Sequence, residues 1–186
     1  MRSSFSLPKF LFFCCIFLPV RFFGQQRPSI LCISIEDTSP QFVNCYGNKN
    51  SSTPFIDKLA GGGVRFTNAF STGTVCSPSR STIITGMRTY EMGTGNHRSA
   101  YPIPSFIKGF PSYLRKEGYY TSNNSKTDYN IQHADSMKKD CWNESSDTAG
   151  WWKRLPGQPF FSVFNFMDSH QSRTMSDSYD KYVEEV

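Results

Sequence analysis

The stretch SILCISIED, residues 29–37, decides the fold class of this 186-residue chain. It is a nearly unbroken apolar run that ends in two adjacent acids, Glu36 and Asp37. Such a run is typical of a parallel strand that is buried on both faces of its sheet. A second apolar run, FFSVFNF, predicts another strand at 159–167, far along the chain.

The segments between these two runs alternate between helix and strand patterns. Thr53 and Pro54 suit the start of a helix, PFIDKLA, and the three glycines at 61–63 end it. The other predicted elements are a strand at 64–70, a helix from the Cys76 region through Thr85 closed by Gly86, a helix at 108–117, a strand at 119–123 and a tail helix at 179–186. This order predicts the α/β class, with a mostly parallel sheet flanked by helices.

Residues 1–24 have the composition of a signal peptide. Arg2 and Lys9 accompany the apolar stretch FLFFCCIFLPV at 10–20, which is shorter than the roughly 20 residues that cross a bilayer. We therefore predict a secreted or periplasmic protein with a mature segment at 25–186 and no stable membrane span. Loss of Arg2, Lys9 and Arg21 lowers the formal charge from +5 to +2, which gives no support for nucleic acid binding.

The mature segment keeps four cysteines, which are too few and too scattered for a disulfide-rich scaffold. They are Cys32, Cys45, Cys76 and Cys141. No C-x-x-C pair is present in the sequence, which argues against a structural zinc site.

Polar side chains capable of chemistry follow each of the four predicted strands. They are Glu36 with Asp37, then Cys76 to Arg80, then Lys126, and finally Asp168 to His170. Because ligands of α/β sheets bind beyond the carboxyl ends of the strands, we expect these clusters to meet at one edge. Each cluster alone also fits an ordinary polar turn or a packed cysteine. Their joint placement favours an active site.

The segment CSPSR at 76–80 predicts an anion site beside Cys76. Ser77 is suited to cap a helix and Pro78 to occupy its first turn, so Cys76 is expected at a helix N-terminus. Free N–H groups and the helix dipole favour an anion there, and Arg80 adds a planar set of donors for an oxyanion. The sequence therefore predicts a pocket for a tetrahedral oxyanion next to residue 76.

The motif CSPSRSTIITG resembles the Cys-x-Pro-x-Arg signature of type I sulfatases, and TPFIDKLAGGGVRFTNAF resembles the segment that precedes it. In that family a formylglycine-generating enzyme oxidises the motif cysteine to formylglycine. The runs IEDTSP, NCYGN, SKTDYN and DSHQSR are most similar to bacterial enzymes of the heparan N-sulfatase or sulfamidase type. The resemblance implies an alkaline-phosphatase/sulfatase-like fold and a sulfuric ester or sulfamate hydrolase acting on a sulfated carbohydrate.

The resemblance also implies a metal site and a nucleophile. Glu36 and Asp37 match an acidic pair that binds Ca²⁺ together with residue 76, and Glu36 stands where many members have Asp. Cys76, once converted to formylglycine, would be the nucleophile, and Arg80 would orient its hydrated form. One hydroxyl of the hydrate attacks sulfur, and loss of a proton from the other re-forms the aldehyde and releases sulfate.

Three further residues receive roles from the same resemblance. Lys126 matches a lysine that contacts the sulfate, His170 a histidine that protonates the leaving group, and His97 a residue of the substrate pocket. Asp128 stands where many members have a helper histidine.

Other members of the family are much longer, and their second acidic pair of metal ligands has no counterpart after His170. We therefore expect a truncated, N-terminal part of a sulfatase catalytic domain. An inactive remnant that binds sulfated glycans and a phosphate or phosphonate ester hydrolase are alternatives. A Cys–His thiol hydrolase is the least favoured, because Pro78 and Arg80 would have no role in it.

Overall fold

The computed structural model of the chain describes residues 26–175. Its strands are β1 (Ile30–Ile35), β2 (Tyr120–Asn124), β3 (Glu144–Ser145) and β4 (Phe160–Phe166), and its α-helices are α1 (Pro54–Gly62), α2 (Cys76–Thr85), α3 (Thr89–Met92), α4 (Pro111–Lys116) and α5 (Ala134–Cys141). Short 3₁₀ helices cover Pro40–Phe42, Asn44–Tyr46, Trp151–Lys153 and Gln171–Thr174. The predicted signal peptide and the predicted helix at 179–186 lie outside the described residues.

The four strands form one sheet in the order β1-β4-β2-β3. Every pairing is parallel, with Ile30 opposite Phe161 and Tyr120 opposite Phe160. The predicted α/β class with a parallel sheet is therefore confirmed. Because the strands run the same way, the residues that follow β1, β2 and β4 leave the sheet at the same edge.

The core lies on the face of β2 and β4 that α4 and α5 cover. Phe161 is at its centre, with its ring edge-on to Phe110 at 5.2 Å and stacked on Trp142 at 5.8 Å between centroids. The buried residues of this cluster are Ile84, Tyr119, Ile131, Met137, Cys141, Trp142 and Phe161. Because β4 pairs with both β1 and β2, distant parts of the chain meet at one edge of the sheet beside this core.

The predicted strand at 64–70 is wrong, since this segment is not part of the sheet. Its aromatic side chains are exposed, Phe66 by 72% and Phe70 by 89%. The segment instead contacts the loop before α1, where the Tyr46 hydroxyl donates to the Phe66 carbonyl and the Arg65 side chain donates to the Cys45 carbonyl. Strand propensity depends on a pairing partner and a packed face, and this segment has neither within residues 26–175.

The expectation that the first strand is buried on both faces is also wrong. β1 pairs with β4 on one side only, and Leu31 and Ile33 are each about half exposed. Side chains alternate between the faces of a strand, so Cys32 and Ser34 line the cleft beside α2, while Leu31 and Ile33 point to the opposite face, which the described residues cover only in part.

The segment between the predicted third and fourth strands contains three elements that its sequence pattern did not indicate: α5, the two-residue strand β3 and the 3₁₀ helix Trp151–Lys153. The predicted helix at 108–117 is shorter than expected, because Pro111 occupies its first turn. The end of α2 agrees with expectation, with Gly86 in the left-handed conformation at φ 70°.

Candidate functional site

The carboxylate of Glu36 is the centre of the site at the carboxyl edge of the sheet. Its Oε2 accepts a hydrogen bond from Lys126 Nζ at 2.8 Å, and its Oε1 accepts one from Arg80 Nη2. The three side chains are largely buried, with exposed fractions of 10%, 15% and 14% for Glu36, Lys126 and Arg80. A single acid thus holds two cations that come from positions 46 residues apart.

These two cations shift the ionisation of Glu36. Burial acts to raise the pKa of Glu36, but hydrogen bonds and charge from Lys126 and Arg80 outweigh it and bring the pKa below its ordinary value of 4.5. Glu36 is therefore ionised at neutral pH. The cluster of one carboxylate and two cations carries one net positive charge and favours an anion nearby.

Arg80 reaches the edge of the sheet from the first turns of α2. Its Nη1 donates to the Lys126 carbonyl at 3.1 Å and to Asn165 Oδ1 at 3.0 Å. Asn165 lies in β4, and its Nδ2 donates to Asn123 Oδ1 and to the Asn124 carbonyl, both at 3.0 Å. This asparagine connects the ends of β2 and β4 to the guanidinium, so it positions Arg80.

Asn165 is a functional residue that was not predicted from the sequence. The signal that could have found it is the single amide side chain within the otherwise apolar part of FFSVFNF. A polar residue in a buried strand needs a hydrogen-bond partner, and here that partner is the guanidinium of the predicted site.

Cys76 is the first residue of α2, and Val75 is its N-cap. The expected cap by Ser77 is wrong, because Ser77 lies inside the helix and its Oγ contacts another segment. That Oγ accepts from the Arg98 backbone N–H at 2.7 Å and lies 3.0 Å from His97 Nδ1. Ser77 therefore ties the start of α2 to the loop that carries the predicted substrate-pocket histidine.

A carboxylate, a thiol and an imidazole meet next to the two cations. One ligand atom each of Glu36, Cys76 and His170 lies within 4.8 Å of the others. His170 is held by Ser172, whose Oγ is 2.8 Å from His170 Nδ1. The predicted nucleophile, one predicted metal ligand and the predicted proton donor are thus brought together.

The other predicted residues lie around this centre. Asp37 does not belong to the group of three, and its Oδ2 accepts from the Gln171 backbone N–H at 2.8 Å, which joins the end of β1 to the segment after His170. His97 is exposed, and Asp128, in the place of the helper histidine, forms an ion pair with Arg98 at 3.6 Å.

The site opens into a cleft of about 780 Å³ between α2 and the sheet. Glu36, Asp37, Cys76, Arg80 and Lys126 all line it, and Phe161 and Val163 form part of its apolar wall. Space beside a charged cluster allows an anionic group to reach Arg80 and Lys126 while the rest of its molecule contacts apolar surface.

The chain belongs to the sulfatase family, whose sequence profile matches residues 28–186. It is 39% identical over 159 residues to an ulvan-active sulfatase of Formosa agariphila, a match that covers 79% of this chain and 26% of that protein. It is 34% identical over 106 residues to arylsulfatase A of Homo sapiens, covering 52% of this chain and 20% of the relative. The chain thus spans about a quarter or less of the length of these relatives.

Solved structures agree on the fold. The structure of a 2-O GAG sulfatase superimposes with a TM-score of 0.63 at 19% identity, covering 77% of this chain and 35% of that one. Together with the parallel sheet, this similarity confirms the expected sulfatase-like architecture. Within residues 26–175, no helix has the length and apolar character needed to cross a membrane.

Proposed function

We propose that this chain forms the nucleophile and anion-binding part of a hydrolase that releases sulfate from a sulfated sugar, through a formylglycine made from Cys76. The observation that carries the proposal is the pairing of Glu36 with both Arg80 and Lys126 directly beside Cys76 and His170. Such a cluster provides a nucleophile position, two cations for an anion and a proton carrier at one edge of the sheet.

The names of the relatives support a sugar as the substrate. Besides the ulvan-active sulfatase, an N-acetylgalactosamine-6-O-sulfatase and an N-acetylglucosamine-6-O-sulfatase of Bacteroides thetaiotaomicron are 37% and 32% identical over about half of this chain. We include both sulfate esters and sulfamates, because the sulfuryl group is the same and only the leaving atom differs.

Sulfatases in general use formylglycine and Ca²⁺, and the donors in this cleft are compatible with both. Ca²⁺ prefers oxygen ligands, which Glu36 and Asp37 offer at the end of β1. Conversion of Cys76 would replace sulfur by oxygen at the third position, within 4.8 Å of a Glu36 oxygen. Glu36, Asp37 and residue 76 would then hold the ion, which offsets negative charge on the sulfate when bound.

The side chains of this chain would act on the substrate as follows. Arg80 and Lys126 would bind sulfate oxygens, and because both now pair with Glu36, that carboxylate must be shared with a metal ion before they are free to do so. Asn165 keeps the guanidinium aimed at the cleft. His170 would protonate the leaving oxygen or nitrogen, and His97 would contact the sugar. The hydrate of formylglycine has two hydroxyls on one carbon, which lets sulfate leave as the aldehyde re-forms.

A formylglycine-generating enzyme would have to modify Cys76, and a chain with this N-terminal sequence would act in a secreted or periplasmic setting.

Mass spectrometry of the peptide that contains Cys76 tests the proposal. After co-expression with a formylglycine-generating enzyme, we expect the aldehyde at position 76, and Cys76→Ala should abolish both the aldehyde and the turnover of a sulfated chromogenic substrate. Cys45→Ser is the matched control, because Cys45 is a free cysteine outside the group of three. An unmodified Cys76 thiol in every preparation would contradict the proposal. Faster cleavage of a phosphate ester than of the paired sulfate ester would favour the phosphate hydrolase instead.

A further inference from the structure

The loop at residues 94–99 holds two exposed side chains, those of His97 and Arg98, beside the start of α2. Ser77 attaches this loop to the helix, because its Oγ accepts a hydrogen bond from the Arg98 backbone N–H at 2.7 Å. Ser77 directly follows Cys76 in the sequence. The loop is therefore fixed next to the residue that the proposed function makes the nucleophile.

The same serine determines which nitrogen of His97 carries the proton. Ser77 is only 1% exposed, so its hydroxyl proton needs an acceptor within the protein. The Ser77 oxygen already receives the Arg98 N–H, and its other hydrogen-bond partner in the described part of the chain is His97 Nδ1, at 3.0 Å. An imidazole that accepts at Nδ1 carries its proton on Nε2 when it is neutral. His97 is thereby prepared to donate a hydrogen bond from Nε2 to a ligand.

The guanidinium of Arg98 has one edge open to a ligand. Its Nε lies 3.6 Å from Asp128 Oδ1, and the Arg98 side chain is 69% exposed. Because the contact with Asp128 is made through Nε, the edge formed by the two Nη nitrogens stays accessible. Such an edge matches the geometry of a carboxylate or a sulfate, to which it donates two parallel hydrogen bonds. Asp128 is two residues from Lys126, so this edge lies near a residue proposed to bind the sulfate.

The backbone of Arg98 has a conformation that its side chain makes unfavourable. Its φ is 50°, in the left-handed region that residues other than glycine seldom adopt. The hydrogen bonds on either side maintain it, since the Arg98 N–H donates to Ser77 and the Ser99 N–H donates to the Asn130 side chain. Backbone strain of this kind is concentrated at ligand sites, where the surrounding contacts hold it. It therefore supports a binding role for Arg98.

We propose that Arg98, together with the Nε2–H of His97, binds a second anionic group of the substrate, either a carboxylate or a further sulfate. This inference rests on the proposed function and specifies its substrate class as sugars that carry at least two negative charges. The sulfate to be cleaved would bind Arg80 and Lys126, and the second anion would bind the loop attached beside residue 76. Ser77 is a positioning residue in this arrangement, because it acts through the two side chains that it holds.

Isothermal titration calorimetry on the full chain, expressed without a modifying enzyme and in buffer containing Ca²⁺, tests the proposal without turnover. One pair of ligands is glucosamine N,6-disulfate and N-acetylglucosamine 6-sulfate. The other is a glucuronate–N-acetylgalactosamine 6-sulfate disaccharide and its carboxyl methyl ester. We expect the doubly charged ligand of at least one pair to bind about fivefold more tightly, the size expected for one exposed charge pair. The pair that shows the preference identifies the second anion as sulfate or carboxylate.

Arg98→Gln should remove this preference and leave the affinity for the singly charged ligand within about twofold. Arg88→Gln is the matched control, because Arg88 is also exposed, by 60%, and also has an acidic partner, Glu91 at 3.9 Å. It should keep the preference of the wild type. Equal affinities within both pairs, no binding of any of the four sugars, or an unchanged preference in Arg98→Gln would overturn the inference.

Nitrogen-15 NMR of the His97 ring tests the positioning role of Ser77. We expect the proton on Nε2 in the wild type and a mixture of both tautomers in Ser77→Ala, because the hydroxyl that donates to Nδ1 is lost. A wild-type ring with its proton on Nδ1 would contradict this role. Circular dichroism of each variant separates loss of the site from loss of the fold. Failure to form formylglycine would contradict the proposed function and leave the calorimetric result unchanged, so the two proposals fail separately.

Discussion

Glu36→Gln is the substitution that most directly tests the charge balance of the site. The change keeps the size of the side chain but removes the charge that Arg80 and Lys126 share. The glutamine oxygen can accept from one of the two cations, while its NH₂ group must face the other, because a cation offers only donors. One charge-assisted hydrogen bond is therefore lost and one repulsive contact is formed.

The size of the effect follows from these contacts. A hydrogen bond to a charged group contributes about 1.5–3 kcal/mol, and the 10–15% exposure of the three side chains leaves little water to replace it. For a domain of this size, each kcal/mol shifts the thermal midpoint by about 2–4 °C, so we expect a decrease of roughly 3–12 °C at pH 7. Thermal unfolding followed by circular dichroism measures this shift.

Asp140→Asn is the matched control. It also removes a carboxylate from an ion pair, with Lys108 at 3.7 Å, but both side chains are about half exposed. Exposed pairs contribute little because water and salt screen them, so the midpoint should stay within about 1 °C of the wild type.

The lowered pKa of Glu36 predicts how the stability difference between wild type and Glu36→Gln changes with pH. The pKa of Glu36 is lower in the folded chain than its ordinary 4.5, so its stabilising contribution is present above that value and is lost as the pH falls through the lower folded pKa. The difference between wild type and Glu36→Gln should therefore be full at pH 7 and shrink under acid conditions. Equal midpoints at pH 7, or an equal loss in Asp140→Asn, would refute the reasoning.

Two further predictions concern the core and the loop that carries His97. Phe161→Ala should reduce the free energy of unfolding, measured by urea titration, by about 3–5 kcal/mol, because Phe161 is 5% exposed and its ring packs between two aromatic rings. Phe166→Ala is the control and should reduce the free energy of unfolding much less, because Phe166 is 48% exposed. Asn130→Ala should increase the rate of backbone hydrogen exchange in residues 94–99 about 30-fold, because it removes side-chain hydrogen bonds to that loop worth about 2 kcal/mol in total. Asn68→Ala, at an exposed position, is the control and should leave this exchange rate unchanged. Unchanged exchange in Asn130→Ala would show that the loop is held by other contacts.

Local patterns in the sequence were enough to predict much of the sheet. The apolar runs that became β1 and β4 and the strand at 119–123 that became β2 are confirmed, and so is the helix that starts at Cys76 and ends before Gly86. These elements were predictable because strand and helix periodicity, Pro and Gly act over a few residues. The parallel order of the strands then implied that the acids after β1 and the lysine after β2 would lie at one edge.

Errors arose where a segment depends on distant partners. The alternating pattern at 64–70 did not become a strand, because no described strand pairs with it. The two-residue β3 exists only because Glu144 and Ser145 pair with the end of β2, which no periodicity in so short a segment could indicate. Ser77 looked like a cap from its neighbours, but its partners are 20 and 21 residues away.

By itself, the sequence determined the class of fold, the family and the candidate residues, because motif spacing and strand ends are local properties of the chain. Only the tertiary structure decided which of those residues touch. Glu36 contacts Arg80 and Lys126, and Asn165 orients the guanidinium, because β4 lies between β1 and β2 in a defined register. That order results from strand pairing between residues more than 100 positions apart, such as Ile30 and Phe161, which no local pattern encodes.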